Sequence, residues 1–121
     1  MAQRTVDELR RELRLFAEER DWEQFHSPKN LVMALVGEAG ELCAEFQWLS
    51  EDQSSKLPAR ELESIKQEIA DVLIYLVRLA DQLDIDVLEC AFDKLAINGD
   101  RYPADAVRGS AKKYTEYSGG S

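Results

Sequence analysis

Apolar residues recur along this chain with the period of a helix. Val6, Leu9, Leu13 and Phe16 share one side of residues 5–20, with Asp7 and Glu8 early, where a helix N-terminus favours negative charge. Residues 21–29 interrupt the pattern with polar groups, Trp22, Phe25 and Pro28, and read as a loop. A second helix is expected over 30–50 with Asn30 as its N-cap, followed by a polar connector over 51–59 that contains Pro58. Residues 60–83 predict a third helix and 86–98 a fourth, opened by Asp86 and stopped by Gly99. Beyond Gly99 the chain reads as mostly irregular, with residues 118–121 frayed. No segment alternates like a strand, and there is no repeat or low-complexity tract. The pattern therefore predicts an all-α fold, a four-helix bundle with an irregular C-terminal segment.

The second helix changes the picture at the level of assembly. On a wheel of 100° per residue, Leu31, Leu35, Leu42 and Leu49 fall within about 40° of one line. The opposite side carries Met33, Gly37, Gly40 and Ala44 rather than charges. A helix apolar on both sides needs cover on both, and 121 residues leave little spare chain to supply it. A homodimer or homotetramer is the expected arrangement.

Composition bounds the rest. The length fits a single domain spanning 1–121. Lys and Arg number 15 against 24 Asp and Glu, a formal charge of −9, which argues against binding duplex DNA or an anionic membrane. No run of 18 apolar residues is present and residues 1–20 are too charged for a signal peptide, so no membrane span is expected. Two cysteines, Cys43 and Cys90, are too few for a disulfide framework and read as buried packing in a reduced, cytoplasmic protein. The charge is also uneven. Residues 1–93 hold 10 basic and 21 acidic groups, a balance of −11, whereas 94–121 hold 5 basic and 3 acidic, a balance of +2.

Against that acidic body, four carboxylates stand where a core should be. Glu38 lies on the leucine line of the second helix and Glu41 follows one turn later. Glu68 and Asp71 repeat the spacing inside an otherwise apolar stretch running to Val77. Buried carboxylates lose hydration and repel one another, so they demand either basic partners or a cation, or their pKa values rise. Basic residues nearby are scarce: Lys66 points away from Glu68, and Arg78 is a turn beyond Tyr75. An all-oxygen cluster suits Mg²⁺, with Mn²⁺ as the alternative, and Mg²⁺ commonly bridges a few carboxylates to substrate phosphates. Competing chemistries are excluded by residue type. His26 is the only histidine, so a di-iron bundle lacks its second Glu-x-x-His pair, and there is no HExxH, P-loop or GxGxxG. Tyr75 projects from the acidic stripe, and Trp22, Phe25, Trp48 and Tyr102 sit at helix ends or loop starts, where aromatic faces can seat a nucleobase.

These residues resemble a known signature. Glu38-x-x-Glu41, 26 residues, then Glu68-x-x-Asp71 is similar to that of the MazG-like all-α nucleoside triphosphate pyrophosphohydrolases. Longer runs are similar to their dCTP pyrophosphatase branch: Arg20-Asp21-Trp22-Glu23-Gln24-Phe25-His26, Asn30-Leu31, Ala34-Leu35-Val36-Gly37-Glu38, Phe46-Gln47-Trp48, 71–77, 94–103 and 108–116. The resemblance implies Mg²⁺-dependent hydrolysis of dCTP and 5-modified dCTP to the monophosphate and pyrophosphate, a nucleotide-pool sanitation role. It further implies that Glu38, Glu41, Glu68 and Asp71 ligate the metal, with one glutamate, Glu38 or Glu41, activating water. Trp22, Trp48 and Tyr75 correspond to base-pocket positions, and Lys94, Asn98, Arg101 and Tyr102 to the segment that holds phosphate and sugar. Dimers or dimers of dimers, with sites built across chains, are implied as well. Two positions depart from the vertebrate relatives: Leu13 replaces a pocket-lining histidine, and Glu45 stands where they are apolar. A broad or dUTP-preferring hydrolase, and a non-enzymatic helical module docking a basic partner, are the competing readings.

Overall fold

A computed structural model of the chain describes residues 4–110. Six α-helices and one 3₁₀ turn account for the regular structure, and no strand occurs among the described residues. They are α1 (Val6–Glu19), the turn Glu23–Phe25, α2 (Pro28–Phe46), α3 (Glu51–Ser54), α4 (Ala59–Gln82), α5 (Val87–Arg101) and α6 (Ala104–Val107). No helix among the described residues is long and apolar enough to cross a membrane.

The chain divides into two compact units, Met1–Ile85 and Asp86–Ser121. In the first, α2 packs mainly on α4, and α1 packs on the same helix. Three links show that α2 and α4 run antiparallel: Arg78 to His26 just before α2, the Glu38–Glu68 neighbourhood, and Ser64 donating to Glu45 at 2.8 Å. Ala17, Leu31, Ile65, Val77 and Ala80 form the buried apolar core, with Leu31 and Val77 the most completely enclosed of its larger side chains. The leucine line of α2 therefore works as expected at its start and fades toward Leu49, which lies beyond the helix and is exposed.

Several boundaries differ from the sequence expectation, each for an identifiable reason. Ser27, not Asn30, caps α2: its hydroxyl accepts from Asn30 N, and Pro28 occupies the first turn, where its missing N–H costs nothing. The helix stops at Phe46 rather than Ser50 because Ser50 and Gln53 form a reciprocal capping box that starts α3 inside the expected connector. Gly99 does not stop the fourth long helix. A side chain there would meet open space, so the position imposes no turn, and α5 continues to Arg101 until Pro103 forces Tyr102 out of helical geometry. The stretch after it, expected to be mostly irregular, contains the four-residue helix α6. Cys43 and Cys90 are free and exposed, so the expectation of buried packing fails for both. Residues 111–121, which include Lys112, Lys113 and the segment expected to fray, lie outside the described residues.

Candidate active site

The antiparallel register of α2 against α4 brings the expected acids together across the helix pair. Glu38 and Glu41 from α2 and Glu68 from α4 each present a carboxylate oxygen within 4.8 Å of the others. Asp71, one turn further along α4, stands outside that group, yet its charge still acts on Glu38. Glu38 and Glu68 each keep one oxygen, Oε2, buried with no hydrogen-bond partner. Burial and the surrounding carboxylates raise the proton affinity of both. Glu68 is pushed up to about 7, first by lost hydration, then by sharing a proton with Glu38 that is held on Glu68, and by the charge of Glu41. Glu38 moves in the same direction, again chiefly through burial.

The basic residues nearest in sequence do not relieve this. Lys66 pairs with Glu63 at 3.8 Å, and Arg78 is engaged with His26 and Asp81. Two half-buried carboxylates with orphaned oxygens, Glu38 and Glu68, converging with the exposed Glu41, fit a hard divalent cation of the Mg²⁺ or Mn²⁺ type, whose ligands are oxygens.

Beside the acids lies a largely aromatic pocket of about 330 Å³, lined by Leu13, Phe16, Trp22, His26, Asp71, Ile74, Tyr75 and Arg78. Its α4 wall follows from helical spacing, since Asp71, Ile74, Tyr75 and Arg78 lie on one face at i, i+3, i+4 and i+7. The opposite wall comes from the end of α1 and the turn after it. Asp21 adopts a left-handed conformation (φ 53°), and Trp22 N bonds back to Ala17 O at 2.9 Å, which folds the chain over. Phe16 and Trp22 then meet edge to face at 5.7 Å, and Arg20 lies 3.5 Å over the Phe16 ring. Asp71 thus borders both features, with the metal-type acids to one side and the aromatic walls to the other.

Of the residues expected to bind a base, Trp22 and Tyr75 line this pocket, whereas Trp48 lies past the end of α2, 87% exposed. Lys94, Asn98 and Arg101 lie on α5 and Tyr102 directly follows it, all in the second unit. Sequence reasoning did not assign Phe16, Ile74, His26 or Arg78 to a site. The usable signal was the acidic stripe itself, which reaches Ile74 and Arg78 if extended by one and two turns past Asp71. Phe16 and His26 carried no such signal, because the packing of α1 on α4 brings the first to the pocket and the turn after α1 brings the second. Leu13 and Glu45, the two departures noted above, lie at the pocket wall and in the Ser64 contact respectively.

Comparison with known proteins agrees with this geometry. A model of the MazG-like family matches residues 33–117. dCTP pyrophosphatase 1 of Mus musculus is 46% identical over 114 residues, covering 93% of this chain and 67% of the mouse protein. The Homo sapiens protein of the same name shows the same identity and coverage. Among solved structures, a pyrophosphatase from Archaeoglobus fulgidus superposes with a TM-score of 0.78 at 36% identity, over 85% of this chain and 96% of that one. An all-helical chain with this acid cluster, matched by the family model over most of its length, belongs to the MazG-like family.

Proposed function

We propose that the protein is a Mg²⁺-dependent pyrophosphohydrolase that converts dCTP, and 5-modified dCTP, to the nucleoside monophosphate and pyrophosphate. The observation that carries this reading is the convergence of Glu38, Glu41 and Glu68 beside an aromatic pocket that shares Asp71. The 46% identity to mammalian dCTP pyrophosphatases supports the choice of nucleotide.

Glu38, Glu41, Glu68 and Asp71 would hold the cation, which supplies charge neutralisation for the triphosphate and makes a nearby water more acidic. Glu38 or Glu41 accepts the proton of the attacking water. That water adds across the α–β anhydride, so one oxygen ends on the monophosphate and the departing pyrophosphate carries away the bridging oxygen. Trp22 and Tyr75 seat the base by their faces and exclude water from it. Lys94, Asn98, Arg101 and Tyr102 hold phosphate and sugar, in keeping with the basic balance of the segment that contains them.

The reading treats residues 1–121 as one catalytic domain, since the family match runs across the boundary between the two units. It also includes a homodimer or homotetramer. Val32, Met33 and Val36 on α2, and Leu62, Ile69, Leu73 and Leu76 on α4, leave apolar surface exposed that a second copy would cover, and Trp48 is exposed in the same way. Sedimentation is expected to show at least twice the 13.8 kDa chain mass, and a stable monomer would remove the assembly from the reading.

The decisive experiment incubates the protein with each nucleoside triphosphate and Mg²⁺ and quantifies monophosphate and pyrophosphate. Cation-dependent release of dCMP and pyrophosphate is expected, with dCTP turned over faster than dUTP or the purine triphosphates. Absence of release with every nucleotide would sink the enzyme reading.

A further inference from the structure

The α4 wall of the pocket holds a buried guanidinium that the catalytic reading leaves unused. Arg78 is only 4% exposed, and its Nε donates to His26 Nδ1 at 3.2 Å while Nη1 donates to Asp81 Oδ2 at 3.4 Å. A guanidinium offers donors only and stays charged at any working pH. The ring nitrogen facing it must therefore be a bare acceptor, which puts the proton of the neutral imidazole on Nε2. This tautomer follows from the chemistry of the donor.

The arginine is itself held. Asp81 accepts Arg14 through two bonds of 2.5 and 3.0 Å and Arg10 at 3.4 Å, tying α1 to α4 behind the pocket. His26 is fixed at its backbone too, where Gln82 Nε2 donates to its carbonyl at 2.9 Å, and Trp22 meets its ring edge-on at 6.3 Å. Burial and the Arg78 charge both lower the proton affinity of His26, so the ring stays neutral near pH 7.

We infer that Arg78 is a positioning residue for base selection: it locks His26 as the Nε2–H tautomer, so that the imidazole offers the pocket a hydrogen-bond donor and no acceptor. The inference deepens the pyrophosphohydrolase reading and rests on it. A fixed donor favours a base that turns a ring nitrogen or carbonyl toward it and disfavours one that turns an N–H. Cytosine carries two adjacent acceptors, N3 and O2, whereas N3 of uracil bears a proton. A polar group that cannot switch roles discriminates well, because the wrong base leaves it unpaired.

The test uses the full chain. His26 is its only histidine, so the imidazole nitrogens give one unambiguous pair of ¹⁵N signals. In the unmodified protein we expect Nε2 protonated and Nδ1 bare at pH 7. Arg78→Met keeps an unbranched chain in place of the arginine's aliphatic stem, removes the guanidinium and leaves Asp81 with Arg14 and Arg10. It is expected to yield mixed tautomers and to raise KM for dCTP roughly fivefold to tenfold at nearly constant kcat, with dUTP less affected. Arg78→Lys, which retains a cationic donor, should preserve the tautomer and hold KM within about twofold of normal. A protonated Nδ1 in the unmodified protein overturns the inference, as does a folded Arg78→Met variant with unchanged KM for dCTP. If Arg78→Met fails to fold, Arg78→Lys decides: a KM as normal as its tautomer supports the role, and a raised KM with the tautomer intact overturns it. Failure of the unmodified protein to hydrolyse dCTP at all would sink the functional reading instead. The ¹⁵N spectra of the unmodified protein and the Arg78 variants would then still decide whether the lock exists.

Discussion

Glu68 and Asp81 show how neighbours decide what a carboxylate does in the same helix. Asp81 is surrounded by Arg10, Arg14 and Arg78, and the donors of Arg14 and then Arg10 hold its carboxyl below its ordinary value. Glu68, earlier on the same helix, faces other acids and is pushed the opposite way. The first arrangement is complete in itself, whereas the second calls for a cation. Replacing Glu38, Glu41 or Glu68 by Gln, or Asp71 by Asn, keeps shape and removes a ligand charge. Each is expected to lower dCTP turnover by about 100-fold or more with the helical CD spectrum retained. Near-normal turnover in any two of the four would refute the metal assignment. The acids were legible from their spacing within apolar helices, but the Arg78–His26 contact was not, because it joins residues 52 positions apart.

At the scale of elements, helix ends mattered more than helix interiors. Both α1 and α4 finish in the same way. Asp21 and Asp84 take left-handed conformations (φ 53° and 57°), and the residue after each bonds back to the carbonyl five positions earlier, Ala17 and Ala80. Glycine prefers that position, and a negative charge at a helix C-terminus opposes the macrodipole. Asp84→Gly is therefore expected to stabilise the fold by about 0.5–1 kcal/mol, read as a higher midpoint in urea. An unchanged or lowered midpoint would show that the Asp84 side chain contributes something the backbone argument omits. The four long helices were visible from periodicity, and Asp86 capping α5 was visible from residue type. The Ser50–Gln53 capping box was missed because a longer α2 satisfied the same local pattern.

For the whole molecule, the clustered acids make stability depend on pH and on cations. With its proton affinity raised, Glu68 stays protonated in the folded chain between its ordinary value of 4.5 and about 7, while the unfolded chain has released that proton. Stability contributed by this group therefore falls as pH rises through that window. His26, shifted downward, acts in the opposite sense below 6.5, so the two effects must be separated. Comparing Glu68→Gln with the unmodified protein does this, because His26 is common to both. Without divalent cations, the variant's advantage in Tm is expected to be small at pH 5 and to widen by pH 8. Added Mg²⁺ should raise the Tm of the unmodified protein more than that of the variant. A gap independent of pH would show that Glu68 titrates normally.

Helical class, the four long helices and the two acidic pairs are properties of the linear chain. They depend on local spacing, at 3.6 residues per turn, and on the cost of placing charge among apolar neighbours. Which acids converge, and what stands beside them, was decided by the antiparallel register of α2 on α4 and by the turn that carries Trp22 and His26 over to α4. Those pairings join residues far apart in sequence, and no periodicity encodes which side chain will meet which across two helices.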